Sequence, residues 1–98
     1  MKLFELSKEY KVACESQSTR SGFRHVAILL KNGCEVARTK VCYLNRTWEA
    51  YEYQTVLIDL VEGYFTDDNE RELREDFLQV IKDRGIKGTG WMPWRSSE

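Results

Sequence analysis

The chain contains one proline, one histidine and three cysteines, and none of the cysteines stands in CxxC spacing. With His25 alone in mid-strand, a Ser-His-Asp or Cys-His catalytic arrangement has one imidazole to build on, and a multi-histidine metal site has none to spare. Cys14, His25, Cys34 and Cys42 match no metal-ligand spacing, and an odd number of cysteines inside β-like patterns argues for reduced thiols filling the core rather than a disulfide framework. The longest strongly apolar run, Val26 to Leu30, is far short of the roughly 20 residues of a membrane-spanning helix. Met1-Lys2-Leu3 leads directly into charges rather than a signal-peptide core, so a cytoplasmic location is expected. The glycines form neither GxGxxG nor GxxxxGK[ST], and Gly85, Gly88 and Gly90 follow a helical pattern instead of opening one. No catalytic residue, cofactor site or metal site is expected, and the chain reads as a non-enzyme.

What the sequence does have is charge separated along its length. Met1 to Trp48 carries net +5, Glu49 to Asp76 carries −8, and Phe77 to Glu98 adds +2, for a total of −1. The change of sign falls where the hydrophobic period changes, which predicts a basic sheet layer joined to an acidic helical layer. At 98 residues with 42% hydrophobic content, the chain suits a single domain with one core.

Alternation through Tyr10, Val12 and Cys14 predicts a strand beginning as early as Leu3, and Gln17 to Gly22 reads as a six-residue loop. Asn32-Gly33 between two β-rich runs is a strong hairpin signal, because both residues tolerate positive φ. A two-residue type I′ turn would pair Leu30 with Glu35, Ile28 with Ala37 and Val26 with Thr39 on one apolar face. It would pair Phe23 with Cys42, His25 with Lys40 and Ala27 with Arg38 on a mixed, basic one. A three-residue loop with a glycine bulge would shift every pair by one.

Asn45-Arg46-Thr47 supplies capping residues before Trp48, and Glu49 and Glu52 suit a first helical turn, so a helix is expected over about 47–63. Its apolar arc runs through Tyr53, Val56, Leu57, Leu60, Val61 and Tyr64, widened by Ala50, Tyr51 and Ile58. Asp67 and Glu70 stand at capping-box spacing for a second helix over about 68–84, with Leu73, Phe77, Val80 and Ile81 on one face. The expected architecture is therefore α+β in the order βββαα: a three-stranded antiparallel sheet over 3–44, two helices packed on one face, and a tail over 86–98 that contains tryptophan. Trp91 and Trp94 in that tail are read as cover for the sheet or helices, the alternative being a homodimer contact or partner anchor.

Two surfaces are candidates for binding. Glu52, Asp59 and Glu62 on the first helix, with Asp67, Asp68 and Glu70 at the second helix start, would present negative charge to a basic protein surface such as that of a nucleic-acid-binding host or defence protein; Trp48 joins this set beside Arg46 and Glu52. Alternatively, Phe23, Arg24, Arg38 and Lys40 would form a basic, aromatic sheet face for single-stranded nucleic acid, although no RNP-like run is present.

The segment Cys42-Tyr43-Leu44-Asn45-Arg46-Thr47-Trp48-Glu49-Ala50-Tyr51-Glu52-Tyr53-Gln54-Thr55-Val56-Leu57, with Gln17 to His25 upstream, resembles small uncharacterised proteins of bacteriophages and other mobile elements. The resemblance brings no activity, cofactor or catalytic residue. It implies an accessory factor in the cytoplasm of a bacterial host cell that binds and modulates a host or defence protein, and an anti-CRISPR-like inhibitor is the sharpest form of that implication.

Overall fold

A computed structural model describes residues 2–85 and 95–96. The strands are β1 (Lys2–Glu5), β2 (Tyr10–Thr19), β3 (Gly22–Lys31), β4 (Cys34–Arg38), β5 (Cys42–Leu44) and the short β6 (Arg95–Ser96); the helices are α1 (Ala50–Tyr64) and α2 (Arg71–Gly85), with a 3-10 turn over Asp68–Glu70 between them. All strand pairs are antiparallel, in the order β4-β3-β2-β1-β6, and β5 pairs with β3 on the same side as β4. The α+β class expected from the sequence is observed, but with more strands than the three predicted.

The first difference lies at Leu6–Glu9, where the chain reverses between β1 and β2. Ser7 closes this turn: its Oγ accepts the amides of Glu9 and Tyr10 at 3.2 and 3.1 Å, and its own N–H donates to the Tyr10 carbonyl at 3.1 Å. A local side-chain bond of this kind competes with the ladder, which is why one long strand becomes two. The second difference is the Gln17–Gly22 loop. β2 continues to Thr19, leaving only Arg20 and Ser21 between it and β3. Gly22 permits so tight a connection: its φ is +155°, and a Cβ there would lie 2.3 Å from the Leu44 carbonyl oxygen.

At the Asn32-Gly33 turn both residues have positive φ, 51° and 84°, as a type I′ hairpin requires. Lys31 pairs with Cys34 and Leu30 with Glu35, as predicted for that turn. Beyond them the pairing slips: Leu29 faces Ala37 and Ile28 faces Arg38, so Val36 is an extra residue, a β-bulge. A further slip before β5 places His25 opposite Cys42 and Phe23 opposite Leu44. The expected pairs of Val26 with Thr39, His25 with Lys40 and Ala27 with Arg38 are thus not formed.

Paired residues share a face, so Phe4, Tyr10, Val12, Cys14, His25, Ala27 and Leu29 all point to one side of the sheet, and both helices pack there. Tyr53, Leu57, Leu60 and Val61 of α1 and Phe77 and Ile81 of α2 are buried against them, with Phe65 at the corner between the helices. Tyr10, Phe65 and Phe77 form a triangle of tilted ring contacts, 5.1 to 5.4 Å between centroids. The helices therefore cover the face carrying His25, which the simple register makes mixed and basic, rather than the Val26–Ile28 face. Ala13, Val26 and Ile28 on the opposite face are also buried.

Helix α1 starts three residues later than expected, with Glu49 at the N-cap instead of Thr47; its N–H donates to the Glu52 carboxylate at 2.9 Å. It ends at Tyr64, one residue past Gly63, and the Phe65 amide bonds the Val61 carbonyl. At the second helix, Asp67 makes no side-chain capping bond, and its carbonyl instead accepts the Glu70 amide at 2.9 Å. The predicted capping box is replaced by a 3-10 turn, and α2 begins at Arg71. No helix among the described residues is long and apolar enough to cross a membrane. The expectation for Trp91 and Trp94 falls outside the described residues.

Candidate binding site

His25, the residue on which any catalytic proposal would depend, is fully buried. Its ring stacks on Trp48 at 4.7 Å and lies near-parallel to Phe23 at 6.0 Å. Nε2 lies 2.9 Å from the Arg46 carbonyl, which can only accept, so in the neutral ring Nε2 carries the proton and Nδ1 accepts from the Ser16 hydroxyl at 2.8 Å. Both nitrogens are engaged in holding the β5–α1 connection to the sheet, and no ring nitrogen is left for a substrate. Among the described residues no group of histidine, cysteine and acidic side chains is arranged to hold a metal ion.

The same connection carries a second clamp. The Arg46 guanidinium bonds both carboxylate oxygens of Glu52, and this partner holds the Glu52 carboxyl below its ordinary range and raises the guanidinium in turn. Together with the Glu49 amide on Glu52 Oε1, it fixes the first turn of α1 to the residues leaving β5.

This clamping positions a groove of about 700 Å³ between α1 and the β4–β5 edge of the sheet. Ala37, Cys42, Trp48, Val56 and Leu60 supply its apolar lining. On the sheet wall stands Lys40 and on the helix wall Asp59, and neither is ion-paired with another described residue. The other two charges are compensated, Glu52 by Arg46 and Arg38 by a bidentate bond to Glu35 that also lowers the Glu35 carboxyl. Tyr51, on the α1 wall, is 60% exposed; among the described residues Tyr43 and Val41 are the other large hydrophobics left in solvent.

Among the described residues, β4 and β5 each have β3 as their one strand neighbour, and no described strand lies on the outer side of this edge. Across the interruption between them, Thr39 bridges to Ala27 in both directions: its amide donates to the Ala27 carbonyl at 2.9 Å, and its hydroxyl accepts the Ala27 amide at 3.0 Å. Because backbone groups alternate in direction along a strand, Thr39 pointing inward means that the N–H and C=O of its neighbour Arg38 point outward, away from β3.

Of the acids proposed for partner binding, Glu52 and Asp59 share this groove with Trp48. Trp48 is buried, so it shapes the lining rather than projecting into solvent as a recognition residue. Glu62 is exposed on α1 just past Asp59, while Asp67, Asp68 and Glu70 lie in the turn beyond the far end of α1, about 20 Å of helix rise from Glu52. The acidic set does not form one surface. The basic set is divided as well: Arg38, tied to Glu35, and Lys40, in the irregular link after β4, both line the groove, while Phe23 is on the helix-covered face and Arg24 on the opposite face beside Tyr43. The bulge at Val36 and the second slip are the reason, since each changes what stands opposite β3.

Cys14 is buried and its thiol is pushed up to about 12 by that burial, with Lys2 acting weakly in the other direction. Cys42 is half-buried, but Cys34, at the hairpin turn, is exposed and fills no core space. Of the groove residues, Thr39 and Thr55 carry no signal in the sequence, whereas Tyr51 belongs to the wide α1 apolar arc, and that width is the available signal. Comparison with known families, curated proteins and solved structures finds no match to this chain.

Proposed function

We propose that the chain is a non-enzymatic binding domain that takes a segment of a protein partner into the groove between α1 and the β4–β5 edge. One observation carries this reading: the groove has an apolar lining and opposed charges, Lys40 and Asp59, that the described residues leave uncompensated. Apolar lining with a few placed polar groups is the usual make-up of a recognition site, and unpaired charge on facing walls selects an occupant of complementary sign. Exposed Tyr51 in the groove wall is of a residue type enriched where partners bind most strongly. The accessory role implied by the phage-like segment, binding and modulating a host or defence protein, is the cellular form of this proposal. In this proposal the contact is made by Asp59 and its groove neighbours rather than by the helical acids as a whole.

The test is selection from a displayed library of short unstructured peptides against the full chain. The wild type should retain peptides carrying an acid and a base in fixed order about an apolar residue, and the double variant Lys40→Glu/Asp59→Lys should retain peptides with that order reversed. Glu72→Lys, on α2 outside the groove, should leave the selection unchanged. Identical selections by the wild type and the double variant would refute the groove as the site.

A further inference from the structure

Resting on that groove reading, we infer that the partner segment binds as an added β-strand, extending the sheet past β4 with its alternate side chains directed into the groove. The occupant is an extended peptide of mixed charge: an acidic side chain toward Lys40, a basic one toward Asp59 and an apolar one over Val56 and Leu60. Three features of the fold converge on this mode. The first is backbone: the Thr39–Ala27 bonding leaves the Arg38 N–H and C=O facing outward, and the pairing of His25 with Cys42 leaves Tyr43 next in register on the same open edge. The second is placement, because Ala37 and Cys42 of the edge strands and Thr39 between them line the groove on the sheet side while α1 forms the opposite wall, so a strand laid on this edge has its side chains against a ready-made slot. Edge addition beside a helix is a recurrent mode in which main-chain bonds provide affinity and pockets for alternate residues provide selectivity. The third is rigidity: His25, the Arg46–Glu52 pair and the Glu49 amide bond fix the start of α1 relative to the sheet, so the slot exists before any partner arrives.

The deciding comparison is between Arg38→Pro and Arg38→Ala. Proline removes the outward N–H and leaves the β3 ladder untouched, since edge strands tolerate proline where the amide faces solvent; alanine removes the same side chain and its bond to Glu35 but keeps the amide. The probe is the best-retained peptide from the library selection, made synthetically, and the readout is its Kd for each full-length variant. We expect Arg38→Pro to bind about tenfold more weakly than Arg38→Ala. Amide hydrogen exchange on the wild-type chain supplies a measurement independent of how the proline variant folds: the Arg38 amide should become protected when the peptide is bound. Equal affinities for the two variants with no change in Arg38 exchange would overturn strand addition. If binding nonetheless responds to Lys40→Glu/Asp59→Lys, the groove stands and only the mode falls; if no peptide is retained at all, both fall together.

Discussion

Replacing His25 tests whether this residue is a structural clamp or a reactive group. In His25→Ala the Arg46 carbonyl and the Ser16 hydroxyl each lose a partner, and the Trp48 indole loses its stacked neighbour. At about 1 kcal/mol net for each hydrogen bond and about 1 kcal/mol for the ring contact, the loss is about 3 kcal/mol before any cavity is counted. The ring is fully buried, so incomplete collapse around the missing atoms adds to this figure. Against a typical domain stability of about 5–15 kcal/mol the change is easily measured by urea unfolding at neutral pH, as a lower midpoint with an unchanged slope. His25→Phe separates the terms: it retains a ring for Trp48 but leaves the Arg46 carbonyl unpaired, and it should cost about 2 kcal/mol. A loss below about 1 kcal/mol for His25→Ala would refute the clamp, because that value leaves no room for two hydrogen bonds and a stack.

Gly22→Ala should destabilise the fold by about 2 kcal/mol or more, measured by the same unfolding curves, because a Cβ there would meet the Leu44 carbonyl at 2.3 Å. Thr39→Val leaves the Ala27 amide without its acceptor in the middle of β3, and thermal unfolding should show a loss of about 1–3 kcal/mol. Acid titration should reveal the Arg46–Glu52 pair: the Glu52 carboxyl is depressed in the fold, so its contribution is complete above the ordinary carboxylate range and disappears as pH falls through the lower folded value, and Glu52→Gln should flatten that part of the stability profile. Thiol labelling of the native protein should modify Cys34 at once and leave Cys14 unmodified until denaturant is added, since Cys34 is exposed and the Cys14 thiol is buried and pushed up to about 12.

The parts of the fold visible in the sequence are those set by local chemistry. Asn32-Gly33 announced its hairpin because few residue pairs accept positive φ in succession, and the α1 and α2 core positions followed from helical spacing. What escaped depends on long-range contacts. Val36 as a bulged residue has no signature of its own, since either register keeps apolar residues paired, yet that single extra residue redirects everything after it in β4. Which face of the sheet the helices cover is not legible for a related reason: His25 and Ala27 look less like core than Val26 and Ile28, and only the bonds to the Ser16 hydroxyl and the Arg46 carbonyl make burial of an imidazole acceptable. Charge bookkeeping along the chain located the acidic helical half but not which of its members remain uncompensated, because the Arg46 partner of Glu52 lies on the other side of the sign boundary. The groove follows from the same contacts, being a space between elements rather than a motif in either.

The central claim, that partners are held between α1 and the β4–β5 edge, is tested most directly by titrating the isotope-labelled full chain with a peptide it retains and following every backbone amide by NMR. The account predicts the largest shifts at Arg38, Lys40 and Tyr43 on the edge and at Thr55 and Asp59 on α1, with α2 unmoved. Shifts confined to α2 or to the turn at Asp67–Glu70 would contradict it.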